Sequence, residues 1–521
     1  MKRDIIIGVD AGTSVLKAVA FTLSGEQLAV SAIPNSPVPL PDGGMEQDMQ
    51  QTWQSAAEAL RGLHQKIPNL AERVSVIGVT GQGDGTWLID KDGNPVQPAW
   101  LWLDARASSH ADKLRRTQRG NLIYQRTGTV INACKQATQI AYMKKHRPDV
   151  LERASTAFHC KDWLYFKMTG IRTTDPSEAT YTFGNFRKRD YDSDVIAAYG
   201  LTKQRHLLPK ITDGVSTVNA LSASAAKQIN LPEGIPVSLG YIDVVCTALG
   251  AGLYDRSKKI GCSIIGTTGA HMRLARTSKD VILSADCTGE TMAMRISGVS
   301  LQMQASMAAS LNLDWLVDMA VNLLSRSGIN KSRAEILIDF DPQIMNTKTD
   351  GLIYHPYISV AGERGPFVDA QARASFIGLT QSHGFPELLR AVFEGIALAA
   401  RDCYSAMGKI PKEIRVTGGV SRSPALKMIL SSMLGAQITT ISREETGAAG
   451  AAMIAAVATG VYRTMDDCVD AWVSPYIELG PSPQRELQKR YDRVFPDFVK
   501  MRKTMAPHWK ALAQHRGNLS L

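Results

Sequence analysis

One arrangement, a short apolar strand that turns through small residues into a second strand, occurs twice in this chain. The first copy, DIIIGVDAGTSVLKAVAFTL over residues 4–23, breaks at Asp10 and Gly12 and then resumes as a strand. The second copy, IGCSIIGTTGAHMRLA over residues 260–275, turns at Gly-Thr-Thr-Gly. β-Branched residues dominate the runs around the first turn, so the pattern predicts a β-hairpin in each half of the chain.

The first turn differs from two common phosphate-binding loops. A Walker loop ends in Gly-Lys-Ser or Gly-Lys-Thr and opens a helix, and a dinucleotide site needs Gly-x-Gly-x-x-Gly in the same setting. Neither pattern is present here. Backbone N–H groups and small hydroxyls of a strand-turn-strand can still line a phosphate, with Asp10 holding a hydrated cation. By itself the turn is better interpreted as an ordinary hairpin, and its repetition favours the phosphate site.

Length and composition indicate a globular protein of two large domains. The chain has 521 residues, too many for one ordinary core, and its 44% hydrophobic and 21% charged residues are typical of soluble proteins. The seven cysteines are odd in number and form no Cys-x-x-Cys pair, which favours reduced thiols and a cytoplasmic location. We find no secretion signal at the N-terminus.

The chain shows no sign of a membrane or nucleic-acid partner. The best membrane candidate, residues 446–461, is too short and rich in Gly and Ala, which predicts a buried helix instead. The formal charge of +10 is dispersed, without a basic tail or an aromatic-interleaved stripe. A mild attraction for anionic ligands is therefore expected.

Strands alternate with helices in both halves, which predicts α/β layers. We place the domain boundary near residue 252, after IPVSLGYIDVVCTALGAGL, so that the domains cover residues 1–252 and 253–521. Residues 385–407 have the periodicity of a long core helix with Pro386 in its first turn. A further strand ends at Gly418 and Gly419, where backbone can approach a flat ligand closely.

Several segments, in order and over nearly the whole chain, resemble the FGGY family of carbohydrate kinases. The most specific is ASFIGLTQSHGFPELLRAVFE (374–394), which is similar to the family's C-terminal signature. The others are WLWLDARA (100–107), HCKDWLYFKMTG (159–170), TDPSEAT (174–180), YISVAGERGPFVDAQARASFIGL (357–379) and VTGGVSRSPALK (416–427). The resemblance implies two actin-like (ribonuclease H-like) α/β domains with the active site in the cleft between them. It also implies transfer of a phosphoryl group from ATP, with Mg²⁺, to a small polyol or sugar.

The resemblance assigns roles residue by residue. Asp243, in GYIDVV, falls where the family keeps its general base, and Asp10 where it keeps its metal-associated acid. The nucleotide would be held by the two phosphate turns and by glycines on the adenosine side: Gly12, Thr13, Ser14, Gly266, Thr267, Thr268, Gly418, Gly419, Gly447 and Ala448. Phosphoryl transfer to an alcohol independently requires a cation and a carboxylate that accepts the hydroxyl proton. Without the resemblance, Asp243 would be interpreted as a helix N-cap.

The acceptor pocket departs from the pattern of related kinases. GQGDG (81–85) has Gly83-Asp84 where xylulokinases carry Met-His and glycerol kinases carry Arg-Glu. The predicted substrate residues are Gln82, Asp84, Trp102 and Asp243. A carboxylate at Asp84 can accept hydrogen bonds from two vicinal hydroxyls, which suits a small polyol. Together with the full-length resemblance, it implies a polyol with four carbons.

Other interpretations of these residues stay open. Asp84 is also compatible with an ordinary turn, Trp102 with a core aromatic, and Asp104 with Arg106 with a surface ion pair. Asn132 is expected near the substrate. Three residues differ from the family pattern and receive no transferred role: Gln139, Met428 and Ser432.

Two other functions compete with a polyol kinase. Within the family, the alternative acceptor is a ketopentose, xylulose or ribulose. Outside it, a nucleotide-gated chaperone or filament subunit could use the same fold, although such proteins need no polyol pocket of the kind that WLWLDARA and GQGDG indicate. The expected partner is the small polyol or sugar itself, and a homodimer is left open.

Overall fold

A computed structural model describes residues 3–254, 259–294 and 296–518. The strands, in chain order, are β1 (Ile5–Ala11), β2 (Val15–Thr22), β3 (Gln27–Pro34), β4 (Val38–Pro39), β5 (Met45–Gln47), β6 (Val74–Gly81), β7 (Trp87–Ile89), β8 (Ala99–Trp100), β9 (Thr156–Phe158), β10 (Thr173–Thr174), β11 (Gly184–Asn185), β12 (Asp190–Tyr191), β13 (Lys210–Ile211), β14 (Val218–Ala220), β15 (Pro236–Leu239), β16 (Ile260–Ile265), β17 (Gly269–Ala275), β18 (Glu290–Ala293), β19 (Ser300–Ser306), β20 (Ile353–His355), β21 (Ser375–Ile377), β22 (Glu413–Thr417), β23 (Gln437–Ile441) and β24 (Ile477–Leu479). The α-helices are α1 (Met49–His64), α2 (Leu70–Arg73), α3 (Ser108–Arg115), α4 (Gln118–Thr127), α5 (Gln136–His146), α6 (Pro148–Arg153), α7 (Cys160–Thr169), α8 (Pro176–Phe183), α9 (Ser193–Ala198), α10 (Ala223–Ile229), α11 (Asp243–Gly250), α12 (Ser310–Arg326), α13 (Arg333–Ile344), α14 (Phe385–Ala406), α15 (Pro424–Leu434), α16 (Thr446–Ala458), α17 (Met465–Trp472) and α18 (Arg485–Asn518).

Two large mixed sheets form the centre of the fold. The first has the order β14-β15-β6-β1-β2-β3 and the second β18-β19-β17-β16-β22-β23-β24. In the first sheet β1 pairs antiparallel with β2 and parallel with β6, and in the second β16 pairs antiparallel with β17 and parallel with β22. Each sheet is thus an antiparallel meander extended by parallel strands. This repeat confirms the predicted hairpins and the two actin-like, ribonuclease H-like α/β units.

Parallel pairing brings the ends of distant segments together. Because β1, β6 and β15 run parallel, their carboxyl ends lie at one edge of the first sheet. That edge carries the first turn, the GQGDG segment and Asp243. In the second sheet, β16, β22 and β23 likewise end at one edge, followed by the Gly-Thr-Thr turn, by Gly418 and by the segment that leads into α16.

Helix α16 crosses from the second half of the chain to the first sheet. It is buried almost throughout, as predicted for the small-residue segment, and packs on β1 and β6. Glycines make the approach possible: a Cβ at Gly8 would lie 2.1 Å from the carbonyl oxygen of Ala448, and one at Gly78 would lie 2.2 Å from that of Ala451. The helix therefore rests directly on the backbone of the first sheet.

The predicted long core helix and the unpaired cysteines are confirmed. Helix α14 spans Phe385–Ala406 with Pro386 in its first turn, and one face of it lies in the core. All seven cysteines are free thiols. Over the described ranges, no helix has the length and apolar character needed to span a bilayer.

Candidate active site

Asp243 stands at the start of α11, just after the carboxyl end of β15. Its Oδ1 accepts a hydrogen bond from the N–H of Val244 at 2.6 Å. The cap position belongs to Ile242, whose N–H donates to Ser177 Oγ at 3.0 Å. The interpretation of Asp243 as an N-cap is therefore wrong: the residue is the first of the helix, and its carboxyl is partly accessible.

Two carboxyl groups, Asp10 and Asp243, interact at the floor of this site. Burial, together with the charge of Asp10, raises the pKa of Asp243 to about 7. Burial also raises the pKa of Asp10 to about 6; Lys17 opposes this shift and Glu445 adds to it. A pKa near neutrality suits a group that must accept a proton. The excess of negative charge suits a bound cation.

The start of α16 closes the site around Asp10. A Cβ at Gly447 would lie 2.2 Å from Asp10 Oδ2, so only glycine fits beside that carboxylate. Lys17 Nζ on β2 and Glu445 Oε2 form an ion pair of 2.8 Å that ties this segment to the first sheet.

This geometry corrects one predicted nucleotide contact. Ala448 is fully buried against Gly8, which leaves no surface for a nucleotide. Its role is to pack α16 onto β1. Gly447 lies beside the metal-associated acid, and its assignment to the adenosine side stays a prediction.

A ring of side-chain amides supports the first turn. Thr13 Oγ1 donates to Gln82 Oε1 at 3.0 Å, and Gln82 Nε2 donates to Gln47 Oε1 at 2.8 Å. Gln47 Nε2 donates to Asn35 Oδ1 at 2.5 Å, and Asn35 Nδ2 returns to the carbonyl of Gly12 at 3.0 Å. The ring fixes the backbone of the turn, while the neighbouring Ser14 is exposed. Sequence reasoning missed Asn35 and Gln47, since neither belongs to a recognisable phosphate motif.

Trp102 connects this turn to the cleft. Its Nε1 donates to Thr13 Oγ1 at 2.8 Å, and its ring is partly exposed, so the alternative of a core aromatic is wrong. Trp102 lines a cavity of about 950 Å³ between the two halves, with Asn132 from the first half and Glu363 and Arg364 from the second. A cavity of this size accommodates a small ligand and water.

Asp84 is the centre of a charged network. The residue has a left-handed backbone, φ 58°, and its side chain is only 14% exposed. Oδ1 accepts a hydrogen bond from Tyr181, and Oδ2 accepts from Lys135 Nζ at 3.1 Å and from Cys134 Sγ at 3.5 Å. Although burial opposes ionisation, Lys135 and Tyr181 hold the pKa of Asp84 below its usual value. The solvated turn residue is therefore excluded, and most of the acceptor capacity of the carboxylate is already in use.

Lys135, which sequence reasoning did not identify, links this network to the second half of the chain. Its Nζ is 2.7 Å from Glu290 Oε1 on β18 and lies 4.2 Å from the centroid of the Tyr181 ring. The ammonium thus joins two carboxylates from different sheets. Nothing in the sequence pairs these residues, because they are 155 positions apart.

The second phosphate turn adjoins the glycines after β22. The carbonyls of Thr267 and Gly266 accept from the N–H groups of Ala309 and Ser310 at 2.8 and 2.9 Å, and the threonine side chains remain exposed. Gly418 has φ 93°, and a Cβ there would lie 2.5 Å from the carbonyl oxygen of Ile265. Gly418 and the exposed Gly419 therefore lie beside the Gly-Thr-Thr turn, which follows the last residue of β16.

Two motif segments form a buried ionic support beneath Asp243. Lys161, from HCKDWLY, lies 2.7 Å from Asp162 and 2.5 Å from Asp175. Asp175, from TDPSEAT, accepts from the N–H of Ser177 at 2.8 Å, and Ser177 in turn holds the backbone before Asp243. These segments position the general-base candidate without reaching the cleft.

Some polar residues of the resemblance are structural. Asp104 and Arg106 form an ion pair of 2.6 Å with both side chains buried, so the expectation of a surface pair is wrong. Gln139 is fully buried and donates to the carbonyl of Leu101 at 3.1 Å. Ser432 is also buried, and its Oγ accepts from the N–H of Gln484 at 3.1 Å.

The residues present fit a hydrated divalent cation better than a directly coordinated one. Over the described part of the chain, no group of three or more His, Cys, Asp or Glu side chains could hold a metal. Mg²⁺ usually keeps several waters and binds one or two carboxylates together with substrate phosphates. Asp10 and its neighbour Asp243 supply the one or two carboxyl groups that such a cation requires, and a bound cation would favour their ionised forms.

Comparison with known proteins identifies the class to which this fold and site belong. Residues 5–250 match the N-terminal domain and residues 261–459 the C-terminal domain of the FGGY family of carbohydrate kinases. The chain belongs to this family, which confirms the predicted kinase class and sets aside the chaperone and filament alternatives.

Among curated relatives, the chain is 49% identical over 512 residues to an erythritol kinase of Brucella abortus (strain 2308), covering 98% of each chain. It is 25% identical to a xylulose kinase of Lactococcus lactis subsp. lactis (strain IL1403), covering 94% of this chain and 95% of the relative. Among solved structures, a ligand-bound xylulose kinase from Lactobacillus acidophilus has a TM-score of 0.88 at 21% identity, covering 98% of this chain and 100% of the other.

Proposed function

We propose that this protein transfers the terminal phosphoryl group of ATP to a primary hydroxyl of erythritol in an Mg²⁺-dependent reaction. The observation that carries the proposal is the pairing of Asp243 and Asp10 at the carboxyl edge of the first sheet, beside the first turn. The 49% identity to an erythritol kinase over 98% of the chain supports the choice of acceptor.

Asp243 would act as the general base. At neutral pH a carboxyl with a pKa of about 7 is partly ionised and can take the proton of the acceptor hydroxyl as the new bond forms. The Lys161–Asp175–Ser177 chain would hold α11 so that this carboxyl keeps its direction.

Asp10 and the two turns would hold the nucleotide side. Bound ATP with Mg²⁺ would supply the phosphoryl group and neutralise part of its charge. Asp10 would orient the hydrated cation. Backbone N–H groups and hydroxyls of Gly12, Thr13 and Ser14, and of Gly266, Thr267 and Thr268, would line the phosphates. Gly418 and Gly419 would lie on the adenosine side, where a Cβ at Gly419 would meet nothing within 4 Å.

The acceptor side would be formed by Gln82, Asp84 and Trp102 together with Asp243. Asp84 is already hydrogen-bonded to Lys135 and Tyr181, so it can accept from few additional hydroxyls. We therefore assign recognition of the vicinal hydroxyls to the network as a whole. Asn132 lines the cavity beside Trp102 and would contribute from there.

We also propose that the two domains divide near residue 252, since α11 ends at Gly250 and β16 begins at Ile260. A cytoplasmic location agrees with seven free cysteines.

The proposal is tested by a panel of acceptors with ATP and Mg²⁺: erythritol, glycerol, xylulose and ribulose. We expect erythritol to give the highest kcat/KM, with the variant Asp243→Asn as the inactive control. If a ketopentose were the better substrate, the erythritol assignment would be lost and the kinase assignment would stand. Absence of transfer to any of the four would contradict a polyol or ketopentose acceptor.

A further inference from the structure

A second concave site lies away from the acceptor cavity and is strongly basic. Its volume is about 480 Å³, and its lining includes six cationic residues: Lys259, Arg273, Arg276, Lys279, Lys409 and Lys412. Asp280 is the one acidic residue among the described lining residues. The site shares no lining residue with the cavity beside Trp102.

The lysines of this basic pocket are poorly compensated. The carboxylate of Asp280 accepts from both the N–H and the hydroxyl of Thr277 at 2.9 Å, as part of a local capping arrangement. Within the described ranges, the amino groups of Lys259, Lys279, Lys409 and Lys412 form no ion pair with a carboxylate. Four lysines that converge on one concavity repel each other unless an anion lies between them.

Arg273 forms the inner wall of the basic pocket. Its Nη2 donates to the carbonyl of Asp280 at 2.6 Å, while its Nε is enclosed and has no hydrogen-bond partner among the described residues. Burial lowers the pKa of this guanidinium, although the charge of Asp280 opposes the shift. A buried donor without an acceptor is costly. A shift of the Arg273 side chain on binding would let an anionic oxygen in the pocket satisfy it.

The basic pocket occupies the opposite end of the strands that carry the nucleotide turns. Lys259 precedes β16, Arg273 lies near the end of β17, and Lys412 precedes β22. The Gly-Thr-Thr turn and Gly418 follow the other ends of β16 and β22. The six residues of β16 separate the two sites by about 20 Å. The pocket is therefore not part of the predicted ATP site.

We propose that the basic pocket is a binding site for a small anion with two or more phosphate groups. Its volume lies in the range of small-molecule sites, roughly 300–1,000 Å³. The described lining residues include no aromatic side chain on which a base could stack, which argues against single-stranded nucleic acid. Two or more phosphates, unlike one, would reach the lysines on both sides of the concavity.

The binding test titrates the nucleotide-free full chain with inorganic pyrophosphate by calorimetry, because ADP itself carries two phosphate groups and would compete for the pocket. We expect the parent chain to bind pyrophosphate more tightly than orthophosphate, and more weakly as salt rises. The double variant Lys409→Gln with Lys412→Gln should lose about tenfold or more in affinity. The charge-matched control, Lys188→Gln with Lys227→Gln on other exposed surfaces, should bind like the parent chain.

Each outcome decides the proposal independently of phosphoryl transfer to a polyol. Absence of pyrophosphate binding to the nucleotide-free chain, or equal changes of affinity in the two double variants, would overturn it. A short single-stranded oligonucleotide that bound more tightly than pyrophosphate, and lost that advantage in Lys409→Gln with Lys412→Gln, would also overturn it. A bisphosphorylated sugar that bound more tightly than pyrophosphate would support it and assign the site to an organic phosphate.

Discussion

At the scale of single residues, the chemistry depends on one carboxyl group. Asp243→Asn keeps the size of the side chain and removes its ability to accept a proton, so kcat should fall by roughly 10²–10⁴. Nucleotide binding should survive, because the turns that hold the phosphates are unchanged. Steady-state kinetics and equilibrium binding of ATP measure the two quantities separately. Near-normal turnover in Asp243→Asn would remove the residue from the mechanism.

The same carboxyl predicts a pH profile. Only its ionised form accepts a proton, and its pKa is raised to about 7 by burial and by Asp10. The kcat/KM should therefore be low in acid, rise with pH through about 7, and level off above it. In Asp243→Asn the residual activity should lack this limb. A parent profile that is flat between about pH 5 and 8 would mean that no group with this pKa controls the reaction.

Thr267, at the tip of the second turn, gives a third prediction at this scale. Its exposed hydroxyl and the neighbouring amides should stabilise charge on the transferred phosphoryl group. Thr267→Val keeps the shape and removes the hydroxyl, so kcat should fall by roughly 10²-fold with little change in the acceptor KM. Thr267→Ser is the matched control and should retain most activity. A variant altered in acceptor KM alone would show that this turn is misassigned.

At the scale of elements, the packing of α16 on the first sheet depends on the absence of side chains. Gly78→Ala would place a methyl group 2.2 Å from the carbonyl oxygen of Ala451, where backbone must move. The free energy of unfolding should fall by about 1–3 kcal/mol. Gly266→Ala adds the same methyl group where nothing lies within 4 Å, and it should change stability by less than about 0.5 kcal/mol. Denaturant unfolding of both variants measures the difference, and equal stabilities would contradict the close approach.

Elements also show what could be predicted from the sequence and what could not. Both hairpins and α14 were predictable because their patterns are local: alternating strands around a small turn, and an apolar face of helical period. The position of Asp243 followed from the family motif. The Lys17–Glu445 ion pair was not predictable, because its partners are 428 positions apart and no local pattern pairs them.

The errors have a common physical origin. Ala448 was assigned to the nucleotide because the family resemblance places its segment on the adenosine side, whereas the residue packs against the backbone of Gly8. Asp104 and Arg106 were expected at the surface because charges usually are, whereas the pair is buried and Arg106 lies 3.5 Å from the centroid of the Trp100 ring. In both cases tertiary packing, which local sequence does not report, decides the role.

At the scale of the whole molecule, the cleft should close during the reaction. The cavity beside Trp102 is open between the two halves. Water in the cleft would compete with the polyol for the phosphoryl group. We expect the radius of gyration from small-angle X-ray scattering to decrease when erythritol is added with a non-hydrolysable ATP analogue. Each ligand added alone is the control. Identical scattering curves in all conditions would count against closure.

The path of α16 bears on whether either half can exist alone. Residues 446–458 come after the boundary near residue 252, yet they cover one face of β1 and β6. A chain truncated at that boundary would expose the face of the first sheet around Gly8 and Gly78. The other fragment would carry α16 without the sheet on which it packs. Expressed separately, the two pieces should therefore be insoluble or mutually dependent. A circular permutant that begins near residue 252 should keep both parts of this contact in one chain.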